Sequence, residues 1–193
     1  MKKTNTWFFI LNKKNIENIF LNIKIQGTPI EKVFDFCFLG LTINENLNWK
    51  SHLNKISNKI SRTLGVMTRL KYFLTTDILR TIYNSLILPH LNYCIMVWGF
   101  ECQRIQKIQK KCVRIICASK FNSHSEPLFK SLNLLKVEDI FKCQSLKFYN
   151  KHINKKLLLY FSDMFISNSS IHDYNTRQQD LIHAPCCTYF SGP

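Results

Sequence analysis

The chain has 193 residues, 46% of them hydrophobic, with 15 Phe and 7 Tyr, which is enough apolar mass for a packed domain and excludes a disordered polyelectrolyte. The formal net charge of +15 is concentrated in residues 50–156, where 20 Lys or Arg face five acids: Asp77, Glu101, Glu126, Glu138 and Asp139. Such a field on an otherwise apolar fold points to a polyanion, nucleic acid first; the alternative is a solvated basic face kept for solubility.

In chain order, residues 7–11 are a continuous apolar run, and 19–25 alternate with period two. Gln26-Gly27-Thr28-Pro29 supplies turn chemistry before the next run, 33–43, so the first 45 residues are expected to form a small antiparallel sheet or hairpin. From Trp49 the period changes. Trp49, Leu53, Ile56, Ile60, Leu64, Met67 and Leu70 follow three- and four-residue spacing and predict a long helix with Lys50, Lys55, Lys59, Arg62 and Arg69 on its other faces. A second helix begins after Thr75 or Thr76, buries Leu79, Ile82, Tyr83 and Leu86, and kinks or stops near Pro89. Residues 101–117 predict a third helix with Ile105, Ile108, Cys112, Ile115 and Ile116 as its apolar stripe, and 135–153 a fourth, with 122–127 as a polar loop between them. Beyond residue 162 the pattern weakens into a tail expected to be poorly ordered. The fold class expected is α+β, a short antiparallel β-hairpin or sheet followed by a mainly α-helical bundle.

Cysteine and histidine usage narrows the chemistry. Cys37, Cys112, Cys117 and Cys143 fall inside apolar or amphipathic runs and read as small buried hydrophobes rather than a disulfide set. Residues 1–11 lack an apolar stretch of secretory length, so an intracellular compartment, cytoplasmic or nuclear, is expected. Residues 86–100 are interrupted by Pro89, His90 and Asn92 and fall short of the ~18–20 residues of a membrane span, so no membrane role is indicated. Neither His90-x3-Cys94 nor His183 with Cys186-Cys187 has the paired spacing of a zinc module, and no metal site is expected. Glu138-Asp139, between Lys136 and Lys142, are expected to form surface ion pairs along their helix. Nothing in the pattern fixes an oligomeric state.

Several segments, in order, carry a family likeness: Phe36-Cys37-Phe38-Leu39-Gly40-Leu41-Thr42-Ile43, Leu47-Asn48-Trp49-Lys50-Ser51-His52, Leu86-Ile87-Leu88-Pro89-His90-Leu91-Asn92-Tyr93 with Trp98-Gly99, residues 105–116, His124-Ser125-Glu126-Pro127-Leu128-Phe129 and His172-Asp173-Tyr174-Asn175-Thr176-Arg177. Across residues 1 to about 182 the chain resembles the region after the catalytic palm motifs in reverse transcriptases, RNA-directed DNA polymerases, of jockey-like non-LTR retrotransposons. The resemblance implies three parts: 1–45, the end of a palm-like sheet with a primer-grip-like hairpin; 46–162, a thumb-like helical region; and 163–193, the tail. It matches Phe38, Leu39, Gly40 and Leu41 to the primer grip, where glycine lets the backbone approach the primer end; from the residues alone, Gly40 reads first as relieving a strand bulge.

Lys3 of Lys3-Thr4 resembles a lysine that would give a proton to leaving pyrophosphate. The basic helix, with Arg104, Lys107, Lys110, Lys111 and Arg114 on one side, resembles a thumb that contacts template and primer; by spacing alone it also reads as a solvated lysine face. Polymerase chemistry holds two divalent metals on paired aspartates, and this sequence has no Asp-Asp pair. The chain alone is therefore expected to be inactive as a polymerase and to need no cofactor; Mg2+ belongs to the full-length enzyme of the family. Three readings follow. One is a reverse-transcriptase fragment with residual, sequence-independent binding to RNA template, DNA primer or hybrid duplex. Another is an active enzyme whose catalytic half lies upstream. The third is a non-enzymatic protein-interaction module that reuses the helical body to pair with another protein, a reading the open sheet edge also favours.

Overall fold

The run over 33–43 folds as a hairpin. The computed structural model of the chain describes residues 24–25, 27–29, 33–162, 165–166, 168–171 and 177. The expected strands at 7–11 and over 19–23, the Lys3-Thr4 motif and most of the tail lie outside the described residues. Lys24–Ile25 (β1) pairs antiparallel with Thr28–Pro29 (β2), so half of the expected turn tetrapeptide is strand. Asp35–Phe38 (β3) pairs antiparallel with Leu41–Asn44 (β4) in the register Asp35↔Asn44 to Phe38↔Leu41. Leu39 and Gly40 are left as a two-residue loop, both with positive φ (46° and 84°), as a twist-matched tight hairpin turn requires. The register leaves no extra residue on either strand, so Gly40 is a turn residue and the bulge alternative does not hold.

A helical body follows. Lys50–Leu70 (α1) buries Leu53, Ile56, Ile60 and Met67, the stripe its spacing predicts. Thr75 is extended (φ −71°, ψ 159°) and starts Thr76–Leu86 (α2), whose Asp77 lies in the first turn where the helix dipole favours an anion. The buried row runs Leu79, Tyr83, Ile87 and Leu91, at steps of four. Leu86, expected inside, falls off that row and is exposed. Pro89 has no amide to continue the ladder, and the chain breaks at Ile87 into Leu88–Asn92 (α3). Cys94 in the left-handed region (φ 49°) then starts Ile95–Trp98 (α4), followed by a 3-10 turn over Gly99–Glu101.

Gln103–Ile116 (α5) packs along α1 and buries Ile105, Cys112, Val113 and Ile116, the two isoleucines and the valine each worth about 1.5–3 kcal/mol of apolar transfer. Ser125–Ser131 (α6) is a helix where the sequence reads as loop: Pro127 sits in its first turn, where an amide has no partner to lose. Val137–Ile153 (α7) follows. Lys136 pairs with Glu126 across the α6–α7 connection, which draws it away from the expected pairing along its own helix. Cys112 is buried as expected, Cys117 and Cys143 are half-buried, and Cys37 is exposed because it lies on an open strand of a two-stranded hairpin.

The chain forms two compact units, Met1–Gln144 and Ser145–Pro193. In the second, the Phe148 ring centre lies 5.9 Å from that of Phe161 and 5.8 Å from that of Phe165, and the His152 ring lies tilted 4.3 Å from that of Phe165; Leu159–Ser162 (α8) belongs to it. No helix among the described residues is long and apolar enough to cross a membrane.

Candidate nucleic-acid interface

Two surfaces carry the predicted contact residues, one on each flank of α1. On the first, the β3–β4 hairpin is pinned to the start of α1 by side chains from both. The Ser51 hydroxyl donates to Asp35 Oδ2 (3.1 Å), and Asn44 Nδ2 donates to Asp35 Oδ1 (2.9 Å). The Thr42 amide donates to His52 Nδ1 (3.3 Å), and Lys55 Nζ donates to Thr42 Oγ1 (2.9 Å). The turn itself is held from above. The Tyr93 hydroxyl donates to the Leu39 carbonyl, and the Tyr93 ring lies where a β-carbon on Gly40 would meet it at 3.5 Å, ordinary contact. Glycine at 40 thus answers to its φ and not to crowding. Desolvation, then the Cys94 and Cys37 thiols, hold the Tyr93 phenol above its ordinary pKa, so it remains a donor. With the turn anchored, Phe38 and Leu39 project outward, 54% and 74% exposed.

The second surface is the basic side of α5. Arg104, Lys107 and Lys111 are exposed, and Lys110 and Arg114 half-buried, all turned away from the buried Ile105, Gln109 and Cys112. Two of the five are committed locally: Arg104 Nη1 donates to Asn54 Oδ1, and Arg114 Nε donates to the Ser123 carbonyl (3.0 Å). The side chains of Lys107 and Lys111 have no hydrogen bond or ion pair among the described residues. Lys107 and Arg104 share a 600 Å³ cleft with Lys50 and the exposed Phe100. At the far end of α1, beyond Arg62 and Arg69, Tyr72 and Phe73 stand 77% and 84% exposed, with Lys71 Nζ 4.9 Å from the Tyr72 centroid. Exposed rings beside cations are the elements of a base-stacking platform.

The pattern of spacing brings the α5 bases together but does not show that Arg104 and Arg114 also tie the fold. It also misses His52, Thr42 and Tyr93, although His52 and Tyr93 end two of the motif segments. His52 is buried, and desolvation, then Lys55 and Lys59, lower its pKa below 6.5. The sign of the linkage follows: between the folded and unfolded pKa the unfolded chain binds more protons, so stability is lost as pH falls below 6.5. The melting temperature is expected to fall more steeply from about pH 7.5 to about pH 5.5 in the parent chain than in His52→Gln, whose amide still accepts from Thr42. Parallel profiles would remove His52 from the account. Among the described residues no three His, Cys, Asp or Glu side chains come together to hold a metal ion.

An α+β chain with a hairpin and a basic helical body is similar in sequence to transposon polymerases. It is 23% identical over 158 residues, 77% of its length, to the probable RNA-directed DNA polymerase from transposon X-element of Drosophila melanogaster. It is also 23% identical over 133 residues, 65% of its length, to the probable RNA-directed DNA polymerase from transposon BS of the same organism. These relatives support the reverse transcriptase family. The chain spans 17% and 15% of their lengths, about one sixth. No family model and no solved structure matches it.

Proposed function

We propose that the chain is the region following the catalytic palm in a jockey-like non-LTR retrotransposon reverse transcriptase: 1–45 ends a palm-like sheet, 46–162 is thumb-like, and 163–193 is a tail. Its own contribution in this reading is to hold RNA template, DNA primer or hybrid duplex without sequence preference. The hairpin tip, Phe38 to Leu41, supplies a shaped contact. The α5 bases supply phosphate contacts that release counterions. Polymerisation is left to metal-binding aspartates, of which this sequence has no adjacent pair, and Lys3 has only the accessory role of a proton donor to leaving pyrophosphate.

The observation that carries the proposal is the pair Lys107 and Lys111, one turn apart on a rigid helix and without an intramolecular partner among the described residues. A solvated solubility face accounts for the charge but not for Lys107 sharing a cleft with the exposed Phe100. Neutralising the pair, Lys107→Ala with Lys111→Ala, is expected to weaken binding to a labelled hybrid duplex on the order of tenfold at low salt, equally for two unrelated sequences. Unchanged binding, or loss confined to one sequence, contradicts the proposal. The 193-residue chain is expected to give no metal-dependent primer extension; extension would instead favour an enzyme complete in itself.

A further inference from the structure

Between the β3–β4 hairpin, α1 and the residues around Tyr93 lies a cleft of 390 Å³, within the range of small-ligand sites, on the order of 300–1,000 Å³. Its lining includes Lys55, Lys59 and Arg62, three cations, and no carboxylate. They recur at steps of four and three along α1 and so face the same side of the helix. Lys55 is engaged with Thr42 Oγ1 (2.9 Å), which fixes one positive charge at the base of the hairpin. Lys59 and Arg62 side chains have no hydrogen bond or ion pair among the described residues. Three cations held together without an anion repel one another, and a ligand of opposite charge relieves that repulsion.

A second polar group borders the same cleft. The ring of His52 also lines the cleft, and it is 4% exposed. Its Nδ1 accepts the Thr42 amide proton, so the neutral ring carries its own proton on Nε2. That Nε2 is buried and has no hydrogen-bond partner. Such a donor is costly to leave unmade.

We propose that this cleft is a phosphate site, in which Lys59 and Arg62 clasp a backbone phosphate of a bound nucleic-acid strand beside the hairpin turn. The inference rests on the nucleic-acid reading and adds a place to it on the flank of α1 opposite α5. Arginine supplies the forked donor geometry that phosphate oxygens match, and lysine the point charge. Tyr93 is a positioning residue here: by holding the Leu39 carbonyl it fixes the hairpin wall of the cleft. A free phosphoanion offers the same oxygens, so the test separates the two sources.

The test compares the full chain with Lys59→Ala/Arg62→Ala and with Lys120→Ala/Lys130→Ala, an equal charge change at exposed positions outside the cleft. Circular dichroism confirms folding of each. Binding of a labelled hybrid duplex is followed by anisotropy across a salt series, and binding of inorganic pyrophosphate by phosphorus NMR line broadening. The cleft variant is expected to lose on the order of tenfold in duplex affinity and about one to two units of salt slope, and the control pair less than about threefold. Equal losses in both variants overturn the cleft while leaving the nucleic-acid reading intact. If the parent chain binds no duplex, that reading fails; pyrophosphate binding abolished by the cleft pair then assigns the site to a free phosphoanion, and unaffected or absent pyrophosphate binding overturns it.

Discussion

Truncating Trp98 to alanine is expected to lower the unfolding free energy by about 3–5 kcal/mol, measured by urea titration of the full chain. Trp98 has no exposed surface, its ring centre lies 6.1 Å from that of His52, and its indole N–H donates to the Tyr93 carbonyl (2.9 Å). The bond ties α4 to the residue that clamps the hairpin turn, so core packing reaches the candidate interface in two steps. Against a total of about 5–15 kcal/mol for a domain, the alanine variant approaches the limit of folding. Trp98→Phe separates the roles, because it keeps an aromatic ring and loses the indole donor. It is expected to cost about 1 kcal/mol for the hydrogen bond plus a smaller packing loss. A cost below about 1 kcal/mol for Trp98→Ala contradicts the packing described here.

The next largest effect is expected at Gln109, a buried polar residue on the apolar side of α5. Its Nε2 donates to the Tyr83 hydroxyl (2.8 Å) and to the Leu135 carbonyl (2.9 Å), and its Oε1 accepts the Val137 amide (2.9 Å). One amide therefore joins α5 to α2 and to the start of α7. Burial pushes the Tyr83 phenol up to about 12, outweighing the Gln109 bond, so the hydroxyl stays protonated at neutral pH. Gln109→Leu fills a similar volume but orphans the Val137 N–H and the Leu135 carbonyl, at a cost of about 2–4 kcal/mol. Tyr83→Phe, which leaves Gln109 its other partners, is expected to cost about 1 kcal/mol. If Gln109→Leu changes stability by less than about 0.5 kcal/mol, the shared amide is not holding these elements together.

Periodicity made α1, α2 and α5 legible, because each shows an apolar stripe at helical spacing to a core that does exist, whereas α7 buries only Val137 and Ile140, in its first turn. Legibility failed where a local signal was ambiguous. Leu39 is not a residue that announces a left-handed turn, so the hairpin tip at Phe38 to Leu41 is legible through the family resemblance rather than through turn chemistry. Pro127 signals loop in most contexts but is compatible with a first helical turn, which hid α6. Gln109 sits on an apolar face, and only partners 26 to 28 residues away along the chain, before and after it, explain it. At the candidate interface, the α5 bases are a local pattern and could be read directly. The hairpin clamp joins Leu39 to Tyr93 across 54 residues, and no spacing rule reports such a pair. His52, its ring nitrogen satisfied from β4, is hidden for the same reason.

Central to the account is that these basic surfaces bind nucleic acid through its phosphates. The most direct measurement is the affinity of the purified 193-residue chain for a hybrid duplex as a function of salt. A log–log slope of about −3 or steeper, the same for unrelated sequences, is the predicted result, corresponding to three or more phosphate contacts. No detectable binding at low salt, or a slope shallower than about −1, would contradict it.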